Sequence, residues 1–224
     1  MMAPGATQGH AGAIDLTPVQ RAAVAKLVYG TERPGTLAVL CGPAGTGVSL
    51  VLESTARAIA EAGRTGSVLR LAAARATTPV GRHDVLLIDD AHTAGDGELA
   101  AMVERCRAEH HAMSIVLGGA GRLLTLLTRD SKLEGMVRLR AVLTPMARAE
   151  TRRVAASILG TALPDEPASA ATVIEAIHEI AGGIPAGVVR LSELAAVVAA
   201  GQPGHAITAD DIELVHRRLA ITAA

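Results

Sequence analysis

Short apolar runs alternate with segments of helical spacing from Thr17 to Pro145. Leu37-Ala38-Val39-Leu40-Cys41 and Ser114-Ile115-Val116-Leu117 lack the polar alternation of a half-exposed strand and predict strands covered on both faces. Val85-Leu86-Leu87-Ile88 is a third such run and ends in Asp89-Asp90, and Ser67–Leu71 and Val137–Leu143 are further strand candidates. Thr17-Pro18 reads as a helix cap followed by proline at the first helical position, with Val19, Ala22, Ala23 and Leu27 in helical rhythm up to Tyr29-Gly30. Helices are also expected from Val48 to Ala62, stopping at Gly63, over Gly97–Arg107, and around Leu123–Leu127. Strands alternating with helices imply a parallel sheet with helices on both faces.

Beyond Pro145 the strand-like runs stop. Arg148–Leu159, Ser169–Ala181, Ala186–Ala199 and Ala209–Ala220 read as helices, and Thr208 with Asp211 makes a capping-box start for the last. The expected organisation is a flexible segment over 1–16, an α/β core with five parallel strands over 17–145, and a small all-helical lid over 146–224. Loop 160–168, with Pro164 and Pro167, is expected to be a flexible joint in the lid.

Gly42-Pro43-Ala44-Gly45-Thr46-Gly47-Val48-Ser49 lies between the first strand and a helix, the context of a phosphate-binding loop of pattern G-x-x-x-x-G-K-[ST]. The glycines let backbone N–H groups converge on phosphate oxygens, and the helix N-terminus adds its positive end. Ser49 keeps the hydroxyl that reaches Mg²⁺. Val48 stands where the lysine belongs and carries no charge to the β- and γ-phosphates. The run ending in Asp89-Asp90 has the form of the acidic Walker B strand. Asp89 takes the metal role; Asp90 occupies the place of the catalytic glutamate and is one methylene shorter.

Composition narrows the partners. The chain has one tyrosine, no phenylalanine and no tryptophan, so it lacks the stacking platforms of single-strand nucleic-acid binders. A net charge of −1 supplies no broad basic field, although Arg138, Arg140, Arg152 and Arg153 could form a local strip. Both features argue against strong nucleic-acid binding. Cys41 and Cys106 fit neither metal nor redox spacing, and Cys41 reads as a small buried hydrophobe. Met1–Leu16 lacks the pattern of a signal peptide, and no stretch has the length of a transmembrane helix, so a cytoplasmic location is expected.

The segments LAVLCGPAGTGVS, VLLIDDAH, SIVLGGAGRL, LTPMARAET and EIAGGIPAGVVRL resemble the AAA+ ATPases of the ExeA, or general-secretion-pathway A, type and more distantly AAA+ transposition regulators. The resemblance runs from Leu16 to about Leu219. It implies a bacterial P-loop protein using ATP/ADP with Mg²⁺. The implied partner is a protein, self or an AAA+ paralogue, in a secretion, cell-envelope or DNA-associated complex. The chain departs from that family in several places. Gly119-Ala120-Gly121 replace a polar segment, Ala186 stands where the lid's sensor arginine is expected, and an ungapped count puts Met136 at the arginine-finger position. A two-residue slip would bring Arg138 there instead.

Loss of a charged hydrogen bond to phosphate, about 1.5–3 kcal/mol, weakens binding roughly ten- to 150-fold. Loss of an arginine finger slows cleavage by roughly 10³–10⁵. The sequence therefore predicts a degenerate site and a scaffold or regulatory pseudo-ATPase, with a slow Mg-dependent ATPase coupled to assembly as the alternative. Lys26 or Arg122 could swing in to replace the missing charge. Tyr29 is expected beside the adenine or in the core, and His92 in a local hydrogen bond.

Overall fold

The computed structural model describes residues 16–72, 83–202 and 206–222. The segment expected to be flexible at 1–16 lies, apart from Leu16, outside the described residues, as does the end of the chain at 223–224.

Helix α1 (Pro18–Thr31) starts as its sequence dictates. Thr17 Oγ1 accepts the Gln20 N–H at 3.2 Å, Gln20 Oε1 accepts the Thr17 N–H at 2.8 Å, and Pro18 holds the first helical position. The core continues through β1 (Leu37–Cys41), α2 (Val48–Glu61), β2 (Gly66–Arg70), β3 (Val85–Asp89), a 3₁₀ turn (Ala91–Thr93), α3 (Glu98–Glu109) and β4 (Ser114–Gly119). Two short helices, α4 (Arg122–Arg129) and α5 (Ser131–Met136), then precede β5 (Val137–Val142). Only the first of these was expected. Asp130 separates them by capping the second, its carboxylate accepting the Leu133 N–H at 3.0 Å.

The described strands form one five-stranded sheet in the order β2-β3-β4-β1-β5, with every neighbouring pair parallel. Successive residues of the buried strands serve opposite faces. Leu37, Val39, Leu86, Ile88, Ile115 and Leu117 join a core with α3, α4 and α5. Ala38, Leu40, Val85, Leu87 and Val116 join a second core with α1 and α2. Both faces being covered explains why the three central strands are continuous apolar runs. Edge strand β5 instead alternates exposed residues with half-buried or buried ones, which puts Arg138 and Arg140 on the exposed side.

Among the described residues four α-helices follow the sheet: α6 (Arg148–Leu159), α7 (Pro167–Ala181), α8 (Pro185–Ala200) and α9 (Ala209–Thr222). They share a core that includes Met146, Ala155, Ile177, Val188, Leu191 and Ile212. The expected joint at 160–168 is tied down. Gly160–Ala162 forms a 3₁₀ turn, Leu163 packs on the lid core, and the Ala162 carbonyl accepts the Ile207 N–H at 3.0 Å. Where the chain leaves the sheet, the Met146 N–H donates to Gly183 O at 2.8 Å. Gly183 has φ +67°, and a Cβ there would lie 2.6 Å from Met146 O, so the close approach requires glycine.

Candidate nucleotide-binding site

Because all strands are parallel, Cys41, Asp89 and Gly119 end at the same edge of the sheet. The helix after β1 packs on one face, and those after β3 and β4 pack on the other. The chain therefore divides between β1 and β4, the position at which open α/β sheets form a binding crevice.

The loop after β1 is held from inside. Thr46 is buried, its Oγ1 donating to Pro43 O at 2.7 Å and its N–H to the same carbonyl at 3.2 Å. From α1, Gln20 Nε2 donates to Thr46 O at 2.8 Å. Gly45 and Gly47 have φ of +83° and +91°, conformations that glycine adopts without strain. Helix α2 begins at Val48 with no side chain capping it, which leaves its first amides without a side-chain acceptor, the arrangement that suits an anion at a helix N-terminus.

A cavity of about 430 Å³ opens here, lined by the loop from Gly42 to Leu50 except Thr46, and by Asp89, Asp90, His92, Gly119, Ala120 and Ala186. Most of the expected site residues thus meet in one place. Thr46 does not line the cavity and serves the loop's own fold. Ser49 is exposed. Asp89 is 6 % exposed, and its Oδ1 accepts the Asp90 N–H at 2.8 Å. Asp90 has φ 57°, the one positive φ outside glycine among the described residues. Such a conformation costs a side-chain-bearing residue energy and tends to occur at functional turns.

Val48 is half-buried and turned toward the sheet. It packs on the α1/α2 core, and its Cγ1 lies 3.2 Å from where a Gly118 Cβ would stand. The lid closes the other side. Ala186 N–H donates to Gly45 O at 3.1 Å, and a Gly45 Cβ would lie 2.8 Å from Ile184 Cγ2 and 3.2 Å from Ala186 Cβ. Ala186, expected at a sensor-arginine position, thus contributes a backbone contact to the loop and no charge.

No lysine or arginine is among the residues lining the cavity. Arg122 donates from Nη1 to His92 O at 2.9 Å, and Lys26 from Nζ to Arg140 O at 2.7 Å. Arg138 lies in a separate cleft with Met136, Arg107 and His111 near the start of β1, at the opposite edge of the sheet. Tyr29 is 75 % exposed, which excludes core packing, and it does not line the cavity. Cys41 is buried as expected. Burial pushes its thiol up, against a smaller downward pull from Arg140. His92 departs from expectation: it lines the cavity, and its buried Nδ1 has no hydrogen-bond partner.

The donor set fits part of a Mg-nucleotide. Uncapped amides suit phosphate, and Ser49 with Asp89 suits a hard cation that draws its other oxygens from phosphate and water. No cluster of three or more His, Cys, Asp or Glu among the described residues forms a self-sufficient metal site. The set does not supply a fixed cation for the terminal phosphates.

The sequence matches no protein-family profile, and no curated protein aligns with it. Solved structures do match. The Thermotoga maritima RuvB Holliday junction branch migration motor aligns at 18 % identity and TM-score 0.60, over 90 % of this chain and 68 % of its own. The Aeropyrum pernix ORC1 protein in complex with DNA aligns at 14 % and 0.64, over 92 % and 66 %. Hsp104 bound to ATPγS and casein aligns at 14 % and 0.60, over 91 % and 43 %. At these identities the likeness speaks for architecture, and together with the strand order and the loop after β1 it shows that this chain has the AAA+ P-loop fold.

Proposed function

We propose that this protein is a pseudo-ATPase: an AAA+-type core over 17–145 and lid over 146–224 that hold Mg-nucleotide weakly, do not cleave it, and act as a scaffold or regulatory partner. One observation carries the reading. The cavity lining has two carboxylates and no lysine or arginine, and Val48 is committed to the core beneath it. The amides from Gly45 to Ser49 would hold the phosphates of a nucleotide, and Ser49 with Asp89 would hold Mg²⁺, which would supply charge neutralisation. Asp90 is the remaining candidate to orient a water. Cleavage needs further positive charge where the phosphoryl group develops its own. Arg122 and Lys26 are engaged elsewhere, and Ala186 brings none.

A partner, a second copy or an AAA+ paralogue, is the natural client of a retained fold with a silenced site. The structural neighbours include a Holliday-junction motor and a DNA-bound ORC1 protein, which supports a DNA-associated complex beside the secretion or envelope setting. The alternative, a slow Mg-dependent ATPase, draws support from Ser49, Asp89 and Asp90 sharing the cavity. Titration with a fluorescent ATP analogue, with and without Mg²⁺, beside steady-state phosphate release, separates the two. Weak Mg-dependent binding without release supports the proposal. Release that Asp89→Ala abolishes supports the alternative.

A further inference from the structure

We infer that His92 is the residue that contacts the terminal phosphate of a bound nucleoside triphosphate, so that the site distinguishes tri- from diphosphate through an imidazole. The inference rests on the nucleotide-site reading above and specifies which side chain makes that site selective.

The left-handed turn at Asp90 bends the chain away from β3, and the 3₁₀ turn that follows carries His92 over the end of β4. There it meets Gly119. A Cβ on Gly119 would lie 2.9 Å from His92 N, 3.0 Å from Nδ1 and 3.1 Å from Cβ, so the imidazole occupies space that any larger residue at 119 would claim. The main chain is fixed by Arg122, whose Nη1 donates to His92 O at 2.9 Å. The ring is held by packing alone. Its Nδ1 is buried and unpartnered, a standing penalty that buried polar groups rarely carry without a ligand, water or catalytic role.

The other side chains that bring polar atoms to the cavity are Ser49, Asp89 and Asp90. Two are carboxylates, which repel phosphate and serve a metal or a water. His92 is the one nitrogen-bearing side chain in the lining, and a neutral imidazole always has one N–H to donate, the tautomer being set by what it meets. It stands on the wall built by the ends of β3 and β4, across from the loop that begins α2. A triphosphate whose inner phosphates were held by that loop would have His92 as the nitrogen-bearing side chain available to its outermost group. Losing His92 should therefore cost triphosphate affinity and spare diphosphate affinity.

The test measures dissociation constants for Mg-ADP and for Mg-AMP-PNP, a non-cleavable triphosphate, by calorimetry on the full chain. The unaltered protein should prefer the triphosphate by about tenfold. His92→Ala should bring the two within about twofold while ADP binding stays put. Gly119→Ala keeps the imidazole but displaces it, and should reduce the preference as well; circular dichroism confirms that each variant is folded. A preference that survives His92→Ala overturns the inference, as does equal binding of the two ligands or binding of neither by the unaltered chain. Failure of the pseudo-ATPase reading would appear separately, as cleavage of ATP, to which a non-cleavable ligand is blind.

Discussion

Replacing Val48 by lysine returns a cation to the first turn of α2, and the structure sets what that should change. Val48 is half-buried against the core beside Leu52 and Gly118, so its loss removes about 1 kcal/mol of apolar burial. The lysine stem recovers part of that by lying along the same surface. The ammonium enters a cavity with Asp89 and Asp90 in its wall and no competing lysine or arginine, so the nucleotide-free protein tolerates it. Stability should move by no more than about 1 kcal/mol, a shift in unfolding temperature of about 2–4 °C. Against bound nucleotide the new charge adds about 1.5–3 kcal/mol, roughly ten- to 150-fold in affinity. Calorimetric titration with Mg-AMP-PNP measures this directly. Turnover should stay absent, because no other lysine or arginine lines the cavity. An affinity change below about twofold in a folded Val48→Lys protein would refute the reasoning, since phosphate could not then rest on the start of α2.

Gln20→Ala removes a side chain only 4 % exposed that bonds both Thr17 and Thr46, and should lower unfolding free energy by about 1–3 kcal/mol in urea titrations while loosening the loop. Gly45→Ala places a Cβ 2.8 Å from Ile184 Cγ2 at a backbone φ of +83°; it should cost about 1–3 kcal/mol and lift the lid, seen as faster proteolysis around 143–147. The Asp84 carboxylate accepts the Thr65 N–H at 2.7 Å and the Thr65 Oγ1–H at 2.9 Å, and these bonds, the backbone one foremost, hold it below its ordinary value of 3.8. Its stabilising contribution is full above that value and lost as pH falls through the lower folded one. The stability gap between the unaltered chain and Asp84→Asn should therefore close under acid, measured by denaturant titration across pH.

The three central strands were legible because burial on both faces demands continuous apolar runs, and the phosphate loop because its glycines fall at fixed spacing. Val48 was legible as a missing lysine, yet its commitment to the core was not, since Gly118 meets it only through the β1–β4 pairing. The fate of Lys26 and Arg122 was hidden for the same reason: their acceptors are main-chain carbonyls distant in sequence. His92 read as a residue in a local hydrogen bond. Its neighbour Gly119 approaches it only once β3 and β4 lie side by side, and an unpartnered nitrogen has no signature in a linear chain. The division of α4 from α5 could have been found from Asp130, a capping residue in the polar run Thr128–Lys132 that follows Leu126-Leu127.

Single-turnover incubation of γ-labelled Mg-ATP with the protein in large excess decides whether the cavity cleaves nucleotide, because weak binding then no longer limits the yield. Labelled phosphate should appear at the rate of protein-free buffer, unchanged by Asp89→Ala. Release well above that background, lost in Asp89→Ala, would show that a cavity without lysine or arginine still cleaves the bond, and would contradict the pseudo-ATPase proposal.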